Sequence, residues 1–295
     1  MSYRIGIDLG GTKIEGVILD DQSQPIIRER FPTEQEKGYD HILHQIKKVY
    51  DYLLKQIKQA SHTVGMGTPG AFSQKTKFLK NSNTVCLNGR LTQQELEKKL
   101  GCRLRIENDA NCFALAEALQ GAGRGYHLVF GVIMGTGCGG GIVHEGKIIT
   151  GLQHIAGEWG HMSINPQGPL CYCGQKGCVE TYISGGGVEK QFAQAVGQKK
   201  DFNTILRLFR QGDPTAVNLL DSFFEYFGRA LANVINVLDP DVIVLGGGLS
   251  HVDELYQRGI GSVKKFVFND ELKTPIIKNR LGDSAGVLGA ALLGV

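Results

Sequence analysis

The chain has 295 residues, of which 42% are hydrophobic and 21% are charged, and its formal net charge is +3. This composition is typical of a globular protein with room for two domains, and the scattered lysines and arginines and short apolar runs argue against a nucleic-acid partner and a membrane span. Met1-Ser2-Tyr3-Arg4 leads directly into a predicted strand, so we expect no signal peptide, and isolated cysteines suit a reducing cytoplasm.

The first half of the chain alternates short apolar strands with helices, a pattern typical of an α/β domain. Apolar residues at helical spacing predict a long helix over 39–60. Thr92 and Glu95 form a capping pattern that predicts a helix over 92–100. The other predicted elements are strands at 4–7, 14–19, 25–30, 63–67 and 104–106 and a helix at 110–119.

A second block repeats the first. Three glycines recur 125 positions later, namely Gly6, Gly10 and Gly16 as Gly131, Gly135 and Gly141. Both blocks read strand, glycine turn, strand, and a predicted helix at 216–237 with a strand at 241–245 extends the repeat. We therefore expect two similar α/β domains whose glycine turns face each other across a cleft.

The first glycine turn, Asp8-Leu9-Gly10-Gly11-Thr12-Lys13, combines backbone N–H groups, a hydroxyl group and a lysine with a carboxylate. The N–H groups and Lys13 suit phosphate oxygens, and Asp8 suits a magnesium ion, which prefers oxygen ligands. A plain hairpin turn with an exposed aspartate is the alternative. The second copy of the turn weakens that alternative.

The second glycine turn matches the G-x-G-x-x-G pattern at Gly135, Gly137 and Gly140, with Glu158 near the place of a ribose-binding acid. A dinucleotide fold requires a helix after these glycines, whereas 141–147 continues as strand and turn. The sequence also lacks a Walker A motif. We therefore disfavour a dinucleotide-binding fold.

Asp109 follows a predicted strand and begins a predicted helix, where the helix dipole and free N–H groups favour a charged carboxylate. Such a carboxylate can accept a proton from a hydroxyl nucleophile in phosphoryl transfer, which asks for orientation more than for a strong base. The alternative is that Asp109 is only the N-cap of its helix.

His161, Cys171, Cys173 and Cys178 lie within one short segment. Three thiolates and an imidazole are the ligands of a closed tetrahedral zinc site, which is structural because no coordination position stays open. Glu158 and Glu180 flank this set, and the metal would fix their direction toward a substrate. Unrelated loop cysteines and solvated surface acids are the alternatives.

The chain resembles the ROK family of bacterial sugar kinases, from Tyr3 to the C-terminus. The resemblance rests on motifs that occur in order: Asp8-x-Gly-Gly-Thr-Lys13, Asn108-Asp109, Gly135-Thr136-Gly137, Glu158-x-Gly-His161 and Cys171-x-Cys173-Gly-x-x-Gly-Cys178-x-Glu180. It implies an α/β fold of duplicated ribonuclease H-like (actin-like ATPase) domains that close over sugar and ATP in an interdomain cleft. We expect a small N-terminal domain of 1–118 plus 284–295, reached by a last helix at 284–293, and a larger domain of 119–283 with the zinc loop.

The same resemblance implies roles for single residues. Asp109 is then the general base toward the 6-hydroxyl of a hexose, and His161 directs one ring nitrogen to zinc and the other to the sugar. The implied sugar contacts are Gly70, Asn83, Asn108, Asp109, Glu158, His161 and Glu180. The implied ATP and magnesium site consists of Gly6, Asp8, Gly10, Gly11, Thr12, Lys13, Gly135, Thr136, Gly137 and, beside the adenosine, Gly246, Gly247 and Gly248.

The preferred sugar is the open question within this family. The segments Asn81-Ser82-Asn83 and Leu87-Asn88-Gly89 resemble fructokinases and mannokinases, whereas Phe113-Ala114-Leu115 and Gly139-Gly140-Gly141 resemble N-acetylglucosamine kinases. We expect an ATP-dependent kinase of fructose or mannose, with N-acetylglucosamine or glucose as the alternative. A sugar-sensing regulator is disfavoured because no helix-turn-helix precedes the first strand, and the family habit predicts a homodimer.

Overall fold

The computed structural model describes residues 2–82 and 84–294, so that Asn83, one of the implied sugar contacts, lies outside the described residues. The first half contains, in chain order, β1 (Tyr3–Leu9), β2 (Lys13–Leu19), β3 (Pro25–Pro32), α1 (Tyr39–Gln56), β4 (His62–Thr68), β5 (Ala71–Phe72), β6 (Leu79–Lys80), α2 (Gln93–Leu100), β7 (Arg105–Asn108) and α3 (Asp109–Leu119). The second half contains β8 (Leu128–Met134), β9 (Cys138–His144), β10 (Lys147–Ile148), α4 (Val179–Ile183), α5 (Gly185–Val196), α6 (Phe202–Arg210), α7 (Pro214–Leu238), β11 (Val242–Gly246), α8 (Ile260–Phe266), β12 (Ile276–Lys278) and α9 (Ala285–Leu292).

Two five-stranded sheets repeat one topology. The first has the strand order β3-β2-β1-β4-β7 and the second β10-β9-β8-β11-β12. In each sheet the central strand is antiparallel to its hairpin partner and parallel to the strand that follows the connecting helix or helices. This repetition confirms the duplicated α/β fold that the recurring glycines predict.

The β1–β2 and β8–β9 hairpins differ in strand register by one residue. The constant spacing of 125 residues between the recurring glycines does not reveal this difference. Ile7 pairs with Gly16 in the first hairpin, whereas Gly131 pairs with Gly141 in the second. A shift of one residue turns a strand position to the opposite face of its sheet. Accordingly, Gly16 faces the side chains of Val49 and Leu53 in α1, and Gly141 faces α3.

Helices α3 and α9 lie between the two sheets, and each packs mainly on the sheet formed by the other half of the chain. Helix α3 follows a strand of the first sheet but packs mainly on β8 and β9, and α9 follows the second sheet but packs on β1 and β4. Glycines allow this close approach, because a Cβ atom at Gly65 would lie 1.9 Å from the carbonyl oxygen of Ala290. The last helix thus returns to the first sheet as the resemblance implies.

The predicted strands are all present, with small differences at their ends. Helix α2 is capped as predicted, since the Thr92 side chain accepts a hydrogen bond from the backbone N–H of Glu95. Helix α1 ends at Gln56, before two residues with positive φ, Lys58 and Gln59. Helices α4, α5, α6 and α8 were not predicted. Among the residues that the structure describes, no helix is both long and apolar enough to cross a membrane.

Candidate active site

A cavity of about 990 Å³ opens between the two sheets. It is lined by the glycine turn between β8 and β9 of the second sheet and by the loops around the separate two-stranded sheet of β5 and β6. Of the implied sugar contacts it brings together Gly70, Asn108, Asp109, Glu158, His161 and Glu180. Residues that are far apart in the sequence therefore share one cleft.

Asp109 occupies the first turn of α3, and Asn108, not Asp109, is the N-cap of that helix. The Asn108 side chain and one oxygen of Asp109 each accept a hydrogen bond from the backbone N–H of Ala110, both at 2.9 Å. Burial raises the pKa of Asp109 to about 6, the Ala110 hydrogen bond opposes this rise, and the charge of Glu158 adds to it. The carboxylate is thus ionised at neutral pH and close to the range of an effective general base.

Asp8 lies at the end of β1, between Gly67 and Gly286. A Cβ atom at Gly67 would lie 3.1 Å from one oxygen of the Asp8 carboxylate, and a Cβ atom at Gly286 would lie 3.0 Å from the other. Burial raises the pKa of Asp8 to about 7, helped by the charges of Asp109 and Glu15 and opposed by Lys13. Among the described residues, Asp8 and the first glycine turn are not part of the cavity lining, unlike Asp109 and the second glycine turn.

The two glycine turns are held by short backbone contacts. In the first, the N–H of Gly10 donates to the carbonyl of Lys13 at 2.9 Å, and the Thr33 hydroxyl donates to the carbonyl of Gly10 at 2.7 Å. In the second, the N–H of Gly135 donates to the carbonyl of Gly137, and Gly185 at the start of α5 donates to the carbonyl of Gly135. Both turns are therefore fixed before any ligand arrives.

Three of the implied nucleotide residues occupy unequal environments beside β11. Gly246 is buried against the ring of Phe113, and Gly247 has φ +77° with no space for a Cβ atom beside Met134. In contrast, a Cβ atom at Gly248 would have no heavy atom within 4 Å, so the surroundings of this residue are open. Only Gly248 of this run has free space beside it for a ligand.

Two implied site glycines have packing roles. Gly6 lies buried in the middle of β1, where a Cβ atom would lie 2.3 Å from the carbonyl oxygen of Val287 in α9, so it offers no free surface to a phosphate. Gly70 has φ +82°, and a Cβ atom there would lie 2.3 Å from the carbonyl oxygen of Lys80. Gly70 therefore serves the close approach of β6 in addition to lining the cleft.

Lys13 forms an ion pair at the start of β2. Its Nζ atom lies 3.6 Å from Oε2 of Glu15.

The four predicted metal ligands converge. One ligand atom from each of His161, Cys171, Cys173 and Cys178 lies within 4.8 Å of all the others. The Sγ atom of Cys171 is 3.7 Å from Nδ1 of His161, and the Sγ atoms of Cys173 and Cys178 are 3.6 Å apart. A tetrahedral zinc ion with ordinary bond lengths gives ligand separations of roughly 3.6–3.8 Å, so the donor set fits such an ion.

The flanking acids are positioned by the second sheet. Trp159, next to Glu158, donates from its indole N–H to the carbonyl of Gly139 at 3.0 Å and packs edge-on against Phe130. Glu180, in the first turn of α4, accepts a hydrogen bond from the backbone N–H of Cys138 at 2.9 Å. Both carboxylates therefore reach the cleft from rigid surroundings.

Tyr172 also lines the cleft, a position that the sequence did not predict. Its hydroxyl group lies 2.9 Å from Nε2 of His161, the ring nitrogen that faces away from the cysteines. The signal that could have identified it is its position between two expected ligands, Cys171 and Cys173. Fixed ligands on both sides restrict where its side chain can point.

Comparison with known proteins gives consistent results over the whole chain. The family model described as "ROK family" matches residues 4–294. The chain is 37% identical over 300 residues to an N-acetyl-D-glucosamine kinase of Photobacterium profundum, covering 98% of each protein. Among solved structures it is similar to a ROK hexokinase from Thermus thermophilus, with a TM-score of 0.88, 31% identity and coverage of 98% and 97%. It is also similar to a ROK family glucokinase from Streptomyces griseus in complex with glucose and AMPPNP, with a TM-score of 0.81, 28% identity and coverage of 99% and 98%.

Proposed function

The chain belongs to the ROK family and is an ATP-dependent sugar kinase, and we propose that it transfers the γ-phosphate of ATP to the 6-hydroxyl of N-acetyl-D-glucosamine. The placement of Asp109 at a helix N-terminus, facing a cleft with two further carboxylates, supports the chemistry. The full-length likeness to an N-acetyl-D-glucosamine kinase favours this sugar over the fructose or mannose expected from the sequence.

In this proposal Asp109 orients the 6-hydroxyl and accepts its proton as the oxygen attacks the γ-phosphorus. The transition state of phosphoryl transfer is loose, so the proton leaves late and a carboxylate with a pKa of about 6 suffices. Asn108 caps the helix and holds its peptide N–H groups in place, which fixes the direction of the neighbouring carboxylate. Glu158 and Glu180 would bind the remaining polar groups of the sugar, and His161, whose Nε2 faces the Tyr172 hydroxyl, would contribute through that hydroxyl.

The two glycine turns would hold the phosphates of ATP through backbone N–H groups, with Lys13 as a counter-charge. Asp8 would hold a magnesium ion, which neutralises charge on the phosphate oxygens. Burial and the charge of Asp109 raise the pKa of Asp8, and a bound cation would offset both effects. The sugar and the nucleotide would then meet across the cleft.

His161, Cys171, Cys173 and Cys178 would hold a structural zinc ion, since the ligand separations fit a tetrahedral site. Four protein ligands leave no position for a substrate, so the ion would stabilise the loop. Its part in activity is then indirect, through the direction of Glu158, His161 and Glu180.

The domain limits of 1–118 plus 284–295 and 119–283 remain our proposal. The exchange of α3 and α9 between the sheets supports limits near the ends of these two helices, although α3 itself packs mainly on the second sheet. A cytoplasmic location and a homodimer also remain predictions.

The proposed reaction is tested by ADP release with magnesium-ATP and a panel of N-acetylglucosamine, glucose, mannose and fructose. We expect the highest kcat/KM with N-acetylglucosamine. Asp109→Asn should lower kcat by about 10²–10⁴, the usual contribution of a general base, while the KM for ATP changes little. If fructose or mannose leads the panel, the proposed substrate is wrong, and if Asp109→Asn retains full activity, the proposed mechanism is wrong.

The zinc site is tested by metal analysis of the purified protein and of Cys173→Ser. We expect about one zinc per chain in the wild type. Loss of one ligand should lower metal content, thermal stability and sugar affinity together, because the loop directs Glu158, His161 and Glu180. Cys102→Ser, which changes a cysteine outside the cluster, is the matched control and should retain the metal. A wild type without zinc would contradict the assignment.

A further inference from the structure

Tyr172 presents an unusual combination of exposure and fixed geometry. Its side chain lies on the cleft wall with 73% of its surface exposed, yet its hydroxyl group is held 2.9 Å from Nε2 of His161. The two rings meet edge-on at 90° with their centroids 5.1 Å apart. An exposed tyrosine that is oriented in this way is ready to bind a ligand with little loss of conformational freedom.

Among the side chains of His161, Tyr172, Glu158 and Glu180, one hydrogen-bond donor stays free. When Nδ1 of His161 faces a metal, Nε2 carries the hydrogen and donates it to the Tyr172 oxygen, so that the hydroxyl hydrogen of Tyr172 stays available. The ionised carboxylates of Glu158 and Glu180 only accept hydrogen bonds. They suit the hydroxyl groups of a sugar but not a carbonyl oxygen, which needs a donor.

Tyr172, Asp109 and Glu158 all line the same cleft. A pyranose whose 6-hydroxyl meets Asp109 carries C2 diagonally across the ring from C5. Its C2 substituent therefore points away from Asp109, and Tyr172, beside His161 on the wall of the same cleft, is a donor that this substituent can meet.

We propose that Tyr172 is a specificity-determining residue that donates its hydroxyl hydrogen to the carbonyl oxygen of the 2-acetamido group. His161 orients this hydroxyl by donating to the tyrosine oxygen from Nε2. The exposed face of the ring gives the acetyl methyl group an apolar contact. This inference rests on the proposed function, since it names the group by which the cleft selects an N-acetylated sugar.

The test compares wild type, Tyr172→Phe and the control Tyr126→Phe, which changes an exposed tyrosine that does not line the cleft. Binding of N-acetylglucosamine and of glucose is measured by titration calorimetry without ATP, together with kcat/KM for both sugars and the zinc content. We expect Tyr172→Phe to weaken binding and lower kcat/KM roughly five- to tenfold for N-acetylglucosamine, as for one lost hydrogen bond, and less than about twofold for glucose. The zinc content and the control should match the wild type.

An equal loss for both sugars would overturn the inference, because Tyr172 would then only hold His161 in place. Unchanged binding of both sugars would overturn it as well. In either case the proposed function survives if the wild type still prefers N-acetylglucosamine. A wild type that neither binds nor phosphorylates this sugar would overturn the proposed function and the inference together.

Discussion

Two carboxylates define the chemistry of the cleft at the scale of single residues. Asp8 lies in β1 and Asp109 follows β7 at the start of α3, and burial together with the charge of Asp109 raises the pKa of Asp8. Burial raises the pKa of Asp109 as well. In a kinase that uses Asp109 as a base, these two raised pKa values make both activity and stability depend on pH.

The first prediction concerns activity. Because the pKa of Asp109 is raised to about 6, its carboxylate gains a proton as the pH falls through that value. We expect kcat/KM for the sugar to be constant near pH 8 and to fall about tenfold per pH unit below pH 6. A pH–rate profile at saturating magnesium-ATP measures this. A profile that stays flat to pH 5 would exclude Asp109 as the base.

The second prediction concerns stability without ligands. Asp8 ionises near 3.8 in the unfolded chain but near 7 in the folded protein, so folding loses stability as the pH rises from about 4 through 7. Asp8→Asn removes this cost and should raise the free energy of unfolding at pH 8, by roughly 4 kcal/mol at most. Urea unfolding at pH 5 and pH 8 measures the gain, which should grow with pH. Asp21→Asn, an exposed control, should show no such growth.

At the scale of elements, the sequence predicted best where a local pattern decides the structure. The capping pair Thr92 and Glu95 and the glycine turns have local signals, and the structure has both features where they were predicted. The duplicated topology followed from recurring glycines. These features need no knowledge of which elements pack together.

The features that the sequence did not predict depend on strand pairing and on tertiary contacts. The one-residue register difference between the hairpins exists because three residues separate the paired ends of the second turn, Met134 and Cys138, but four separate Leu9 and Ile14. Nor does the sequence reveal that Gly6 packs on a helix from the far end of the chain. The role of Tyr172 likewise depends on where His161 lies in space.

Close helix–sheet packing gives the third prediction. A Cβ atom at Gly65 in β4 would lie 1.9 Å from the backbone oxygen of Ala290 in α9, and a backbone atom cannot rotate away. Gly65→Ala should therefore lower the free energy of unfolding by about 1–3 kcal/mol or more. The control is Gly261→Ala in α8, where no heavy atom lies within 4 Å and the added methyl should stabilise the helix by up to about 1 kcal/mol. Denaturant unfolding compares the two, and equal effects would contradict this packing argument.

At the scale of the whole molecule, the chain passes between the sheets through two connections. One, at 120–127, joins α3 to β8, and the other, at 279–284, joins β12 to α9. A third apolar core, formed by residues of α3, α9 and both sheets, fills the space between them. Because α3 packs mainly on the second sheet and α9 on the first, we expect closing of the cleft over sugar and ATP to bend the chain near the ends of these two helices.

Glu117 holds both connections and gives the last prediction. Its buried carboxylate accepts hydrogen bonds from the backbone N–H groups of Ala122 at 2.7 Å, in the first connection, and of Leu281 at 2.8 Å and Arg280, in the second. In Glu117→Gln one oxygen of this buried side chain becomes an NH₂ group, so a partly buried backbone N–H loses its acceptor and the free energy of unfolding should fall by about 1–3 kcal/mol.

Because hinge contacts set the motion of the domains, kcat and the KM for the sugar should change together in Glu117→Gln, although Glu117 lies outside the cleft lining. Denaturant unfolding and steady-state kinetics measure the two effects. Glu145→Gln, a change of an exposed carboxylate on the β9–β10 turn, is the control and should stay within about 0.5 kcal/mol of the wild type. A Glu117→Gln variant that is less stable but has unchanged kinetics would show that the carboxylate supports folding alone, and that the cleft closes without bending where Glu117 binds.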